Sequence, residues 1–382
     1  MNKSRIIFFV IILSIIFVMF AYEKYNNKND NDNDESYLNV YGWYGIIPRD
    51  VISEFEKEYK IHVRYDVYDN NDVLEAKLLA TNSGYDIVFP SFIPYAGRQS
   101  NLGVYARLDD GLVTSLNNIS NVILEKFRNS NGNTNYLIPI FWGTVGIAIE
   151  NNTLKKIIPN FNKDTYDLVL SEENIKKISE YGISFPEEFI DIFPSAMYYL
   201  ELDYTKKNID DIKKVKDYFN RIRPYISKFS SSTMINDLLM GTVCVAIGSS
   251  DNAYRAMQSS KNVGKDIRYI LPKYGSMLWI DCVAIPKFAP HKKNAGKFID
   301  FLLRPKIAAR ITEYSGILVT VKEAEKYYAD DMKNNRNIYP DDETLKLLLV
   351  GNPSVNEKDR EFDKYATRTW EQIKMNVVGG NK

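Results

Sequence analysis

In the stretch "GSMLWIDCVAIP", residues 275–286, a single acid, Asp281, interrupts an apolar run between Trp279 and Cys282. A carboxylate in such a run needs a partner, because an unpaired buried charge costs several kcal/mol. Two kinds of partner are open: the chain's own amides or a lysine such as Lys273, or a cation brought from outside. Three of the four tryptophans, Trp43, Trp142 and Trp279, lie in or just after apolar strand-like runs. Indole faces attract cations by about 0.5 to 2 kcal/mol each. Together with Asp281 they suit a box for a positively charged ligand, although each one alone also suits core packing. Glu188 and Asp191 stand three apart in "PEEFIDIF", a spacing that puts both on one helical face. Such a pair serves either a ligand or the start of a helix dipole.

Other chemistry is scarce. His62 in a predicted strand and His291 in a polar loop are the only histidines, too few for a metal cluster or a triad, and a surface or packing role is expected for both. The chain lacks a P-loop, a G-x-G-x-x-G run, H-E-x-x-H, a G-x-S-x-G elbow and paired CxxC. No cofactor, metal or catalytic residue is therefore assigned, and a non-enzyme is expected. Cys244 and Cys282 each sit in an apolar run and read as buried thiols, with a disulfide as the alternative in an exported protein.

The elements that must position these residues alternate. "YLNVYGW" reads as a strand, Pro48 opens a helix over "PRDVISEFEKEY", "IHVRYDVYD" is a strand, Asn71 caps "DVLEAKLLA", and "YDIVFPS" is a buried strand ending at Ser91. That order is the grammar of a parallel α/β sheet, where ligands sit beyond the carboxyl ends of strands. Helices are expected at 171–180, 186–199, 210–222 and 232–240. "LIPIFWGTVGIAIE", residues 137–150, is too long and apolar for an edge strand and reads as a crossover between lobes, as does the segment holding Asp281. The predicted lobes are residues 37–140 with 283–330, and 141–282 with 331–382, enclosing a cleft.

At 382 residues the chain can bury two domains. Its 49 basic and 49 acidic residues cancel, which argues against a nucleic-acid partner. Lys3 and Arg5 precede an apolar run at residues 6–22, the layout of a secretory signal or an uncleaved anchor. Export to the periplasm or the outer face of the membrane is expected either way, with residues 6–22 a tether if uncut. No cysteine lies near this leader. The polar stretch "EKYNNKNDNDNDES" that follows cannot bury a core and reads as a linker.

Six blocks in order, "VYGWYG", "VYDNNDVLEAKLLATNSGYDIVFPS", "FWGTVGI", "SSTMINDLLMGTVCVAIG", "GSMLWIDCVAIP" and "FLLRPKIAARI", make the chain similar to the periplasmic polyamine-binding proteins of bacterial ABC uptake systems, the putrescine-binding kind above all. The resemblance runs from about Leu38 to the C-terminus. It implies a two-lobed type II periplasmic-binding-protein fold and a monomer that hands a small cationic amine to an ABC permease and its ATPase. Members of that family clamp a diamine between aromatic rings and carboxylates. Trp43, Ser91, Trp279 and Asp281 fall on such positions, Asp191 on a ligand-binding acid, and Glu188 on an acid of the spermidine-binding relatives. The chain also departs from the pattern. Tyr44, Gly45 and Ile46 replace a hydroxyl residue, an acid and a tyrosine. Ser249, Ser250, Asp251 and Asn252 stand where a tryptophan followed by an acid is usual, so that acid is either shifted or lost. Ile317 replaces a tyrosine. The departures imply shifted specificity, weaker diamine binding, or a ligand with one cationic and one neutral end. A tethered sensor or adhesin for a different amine is the alternative.

Overall fold

A computed structural model of the chain describes residues 36–80, 83–108, 111–351 and 356–375. The leader and nearly all of the linker lie outside the described residues; within them, no helix is long and apolar enough to cross a membrane. The fold is α/β with two lobes. In the first, strand β1 (Tyr37–Trp43) pairs in parallel with β2 (His62–Tyr68) on one side and β3 (Ile87–Val88) on the other. The crossovers are the helices Arg49–Tyr59 and Asn71–Leu79. Trp43 and Ser91 thus stand at the carboxyl ends of β1 and β3.

Strand β4 (Ile138–Glu150) is buried along its whole length and forms the spine of a second, mixed sheet. One edge pairs antiparallel with β7 (Val245–Ser249) and β10 (Leu318–Val319), the other with β8 (Ile267–Ile270) and β9 (Met277–Val283). Beyond β7 lie β5 (Ile183–Phe185) and β6 (Lys228–Phe229). β5 runs parallel to both β6 and β7. Thirteen consecutive buried positions explain why the sequence of β4 shows no polar face. Its side chains divide between two apolar clusters: Ile138, Ile140 and Trp142 join the one holding β1–β3, and Val145, Ile147 and Ile149 join the one holding Phe185, Phe193 and Trp370. β9 lies beside β4 and reaches the first sheet through bridges from Ala284 to Val88 and from Asp281 to Ser91.

Three local expectations need correction. Asn70, not Asn71, caps the second helix, its side chain accepting from the Val73 amide at 2.9 Å; Asn71 turns instead toward Ser91. The helix expected over 186–199 is broken into a 3-10 turn, Phe189–Asp191, and a helix, Phe193–Tyr199. Glu188 is extended (φ −95°, ψ 139°), so Glu188 and Asp191 do not share a helical face. Trp142 is buried against Tyr339 and belongs to the core, not to a ligand box. Both cysteines are buried free thiols.

His62 is exposed beside Glu56. His291 is buried: its backbone amide donates to Asp86 at 2.6 Å and its Nδ1 lies 2.8 Å from the same carboxyl, which also accepts from the Asn39 amide at 2.8 Å. Asp86 thereby ties β1 to the segment leading into the helix Lys292–Leu302. Asp86→Ala leaves these buried donors unmet and is expected to cost about 3 kcal/mol, read as a lower urea midpoint; an unchanged midpoint would contradict the linchpin role.

Candidate functional site

Trp279 and Asp281, two apart in β9, project to the same face of the strand. Trp279 stands opposite Gly143 of β4, and Asp281 opposite Phe141. A Cβ at Gly143 would lie 2.4 Å from Cζ2 of Trp279 and 2.8 Å from Oγ of Ser250. Only glycine leaves room for the indole to lie on the strand. The same neighbourhood receives the helix Ser250–Ser260, because Ser250 Oγ accepts from the Thr144 amide at 3.1 Å.

From the first lobe come Trp43 and Ser91. The Trp43 ring packs on Tyr68 with centroids 4.5 Å apart, and its carbonyl accepts from the Tyr65 hydroxyl at 3.1 Å. Ser91 is held by Asn71, whose Oδ1 accepts from the Ser91 amide at 3.0 Å and whose Nδ2 donates to the Ser91 hydroxyl at 3.1 Å. That leaves the hydroxyl proton for Asp281. Tyr68, whose hydroxyl donates to the Phe89 carbonyl at 2.5 Å, lies close enough to feel the Asp281 charge. The Trp279 indole nitrogen is buried without a hydrogen-bond partner among the described residues, and that of Trp43 is buried with no hydrogen bond of ordinary geometry, its nearest acceptor being the Asp281 carboxylate whose charge it favours. Polar hydrogens left over in this way mark a place where something else completes the site.

Asp281 is 8% exposed. Burial above all pushes its carboxyl up to about 7; the Ser91 hydroxyl works against this, Asp251 adds to it, and the nearby Trp43 indole works against it. No basic side chain pairs with Asp281 among the described residues, and Lys273 is engaged with Asp164 at 3.6 Å. Asp251 is buried at the first turn of its helix and is raised chiefly by burial, opposed by the Ser249 hydroxyl, Arg255 and the local backbone amides. Asn252, by contrast, accepts from the exposed Arg255 at 2.6 Å. The Asp251 charge is felt at Asp281, with Ser249 half-buried beside it.

Asp191 ends the 3-10 turn beyond β5 and is pushed up to about 7 by burial and then by Glu188. Glu188 itself lies at the exposed rim; its carboxyl is raised by burial first, against Lys374, with Glu187, Glu371 and Asp72 adding to the rise. Tyr44 is 85% exposed and stands apart from the buried acids. Sequence reasoning missed Tyr68, Asn71 and Gly143. Only the glycine inside a long apolar strand left a signal, since such a glycine marks close backbone approach. A cavity of about 810 Å³ lies elsewhere, lined by Tyr166, Tyr199, Tyr204 and Tyr274, and includes none of the acids at Asp191, Asp251 or Asp281.

The family model described as bacterial extracellular solute-binding protein matches residues 50–340. The chain is 36% identical over 344 residues to the putrescine-binding periplasmic protein of Pseudomonas aeruginosa strain UCBPP-PA14, covering 89% of this chain and 92% of the relative. It is 31% identical over 345 residues to the Escherichia coli K12 putrescine-binding periplasmic protein, with the same coverage of 89% and 92%. Among solved structures, a spermidine/putrescine ABC transporter substrate-binding protein from Streptococcus pneumoniae superposes with a TM-score of 0.75 at 22% identity, over 89% of this chain and 99% of that one.

Two outcomes test the geometry. A folded-state pKa near 7 for Asp281, against about 3.9 unfolded, means that the native protein holds a proton the unfolded chain releases. The ligand-free protein should lose about 1.4 kcal/mol from this group as pH rises from 6 to 8. Its thermal midpoint should fall over that range, and Asp281→Asn should flatten the fall; an identical slope in the variant would contradict the assignment. Gly143→Ala should displace the Trp279 ring, seen as a shifted tryptophan emission maximum, and an unshifted spectrum would mean the indole does not lie on that strand.

Proposed function

The chain belongs to the bacterial extracellular solute-binding protein family, and from that premise we propose that it captures a cationic amine of the putrescine or spermidine kind outside the cytoplasm and delivers it to an ABC permease and its ATPase. The observation that carries this reading is a buried Asp281 with no cation of its own, flanked by the Trp43 indole and by a Trp279 indole whose N–H lacks a partner among the described residues.

An arriving ammonium supplies the missing counter-ion, and in a dry cleft its charge-assisted hydrogen bonds to Asp281 are stronger than in water. The faces of Trp43 and Trp279 take up the rest of the positive potential and the methylene chain. Ser91, held by Asn71, fixes the carboxylate. Asp251 adds a second charge at the same end, Ser249 steadies Asp251, and Asp191 with Glu188 receives the distal nitrogen. Tyr44 and Asn252 are left with peripheral roles at the rim. We assign the lobes to residues 37–140 with 283–330 and 141–282 with 331–382; Phe185, Phe193 and Trp370 share one apolar cluster in keeping with the second lobe, while Met234, Tyr254 and Met332 pack in the cluster of β1–β3. Capture closes the lobes on the ligand, and the closed outline is what a permease reads. No bond in the ligand needs to be broken for any of this.

The test is calorimetry of the protein, freed of carried-over ligand, against putrescine, cadaverine, agmatine and spermidine. At least one should bind, and Asp281→Asn should weaken that binding more than tenfold, since such a contact is typically worth about 1.5 to 3 kcal/mol. Absence of heat with every amine would remove the reading. Unchanged affinity in the variant would return Asp281 to a structural role.

A further inference from the structure

Apart from the cleft, the chain holds a cavity of about 810 Å³ whose walls are largely tyrosine rings. Tyr198 and Tyr199 end the helix Phe193–Tyr199, Tyr204 opens the 3-10 turn Tyr204–Lys206, Tyr166 precedes the helix Asp167–Leu170, and Tyr274 stands in the turn before β9. Small-molecule sites typically enclose ~300–1,000 Å³, are mostly apolar and are formed in advance. This cavity meets each condition.

Its walls are held from behind. The Tyr166 hydroxyl donates to the Val145 carbonyl of β4 at 2.8 Å, Ser195 Oγ donates to the Gly275 carbonyl at 2.7 Å, and the Tyr204 hydroxyl accepts from the buried Lys207 at 3.1 Å. Gly275 has φ 84°, and a Cβ there would come within 3.1 Å of the Tyr198 ring, so the turn lies against that tyrosine because it carries no side chain. The Leu349 amide donates to the Ser276 carbonyl at 2.8 Å and fixes the remaining wall.

The charged groups of the lining all have one sign. Asp167, Glu201 and Asp203 line the cavity, and among the described residues no lysine, arginine or histidine does. Asp203 accepts from the Thr205 amide at 3.0 Å and lies 3.8 Å from the exposed Lys206. Asp167 has only neutral donors, Asn174 Nδ2 at 3.2 Å and the Tyr199 hydroxyl at 3.5 Å. The Glu201 side chain has neither a hydrogen bond nor an ion pair among the described residues. Its backbone is left-handed (φ 59°), just past a helix end where glycine is the common residue. The chain thus keeps a carboxylate where a bare turn is easier to form. The neighbouring Lys273 is taken by Asp164.

We propose that this cavity is a second binding site, for an ammonium carried on an apolar body such as an aryl-alkyl monoamine. The nitrogen is directed to the carboxylates of Glu201 and Asp167, which offer charge-assisted hydrogen bonds, and the body lies among the tyrosine rings, whose faces also favour a cation. Trp43, Ser91, Trp279 and Asp281 are not part of the lining. The site therefore fills independently of the cleft, whether or not the cleft takes a polyamine.

The experiment is titration calorimetry of the protein with 4-phenylbutylamine, alone and at saturating putrescine. One equivalent should bind, with an affinity unchanged by putrescine and by Asp281→Asn. Glu201→Gln should weaken this binding about tenfold. 4-Phenylbutan-1-ol, which keeps the body and lacks the charge, should bind at least about tenfold more weakly than the amine, a comparison that needs no variant. Absence of binding, or equal affinity for the alcohol, would overturn the proposal, as would unchanged affinity in a folded Glu201→Gln. Loss of binding with putrescine present or in Asp281→Asn would place the monoamine in the cleft and overturn the second site while leaving amine capture intact.

Discussion

A carboxylate withheld from its own chain's cations is the constraint around which the structure is arranged. Asp281 lies on β9, which pairs with β4 and bridges to Ser91, so its neighbours come from both sheets: Ser91 and Trp43 from one, and Asp251, at the helix start packed on Gly143, from the other. Such an anion is costly to keep and strongly selective once a cation arrives, because the low dielectric that penalises the empty state strengthens the filled one. A fold selected for stability alone would place a lysine there. The chain does so for other acids, including Asp363 with the buried Lys207 and Asp237 with Lys228.

The supports of the second acid show the same economy. Asp191 sits on a short turn rather than a long helix, so something outside the turn must hold it. The C-terminal helix Glu357–Met375 provides this: Trp370 Nε1 donates to the Glu187 carbonyl at 2.9 Å and Lys374 Nζ to the same oxygen at 3.0 Å. The Trp370 ring meets Phe193, Phe219 and Phe229 edge-on. Stiff aromatic packing behind the turn keeps a raised carboxyl in place without neutralising it.

Much of this was legible in the sequence. Strand and helix alternation, the long apolar run of β4 and the lone acid of β9 all followed from local pattern, because burial on both faces removes the polar period of a strand. The resemblance to polyamine-binding proteins, carried by six ordered blocks, named the family that the comparisons then identified. What was not legible is long-range. Nothing local distinguishes Asp251 from Asn252; the difference is that Arg255, three residues on, captures the amide, while burial keeps the acid near Asp281. Asn71 reads as a cap because caps are local, yet its side chain serves Ser91, twenty residues away. The break at Ile192 (φ −133°) overrode an apparently continuous helix over 186–199. Tyr44 follows a site tryptophan in sequence and precedes a left-handed Gly45 (φ 72°), and the turn leaves it in solvent.

The central claim is that Asp281 is left without a cation of its own chain so that a guest supplies one. A crystal structure of the protein grown with a saturating polyamine tests it most directly. The account predicts an ammonium nitrogen within hydrogen-bonding distance of both the Asp281 carboxylate and the Ser91 hydroxyl, with the carbon chain lying against the Trp43 and Trp279 rings. Electron density for the amine elsewhere, with the Asp281 oxygens satisfied only by the protein's own donors, would contradict it.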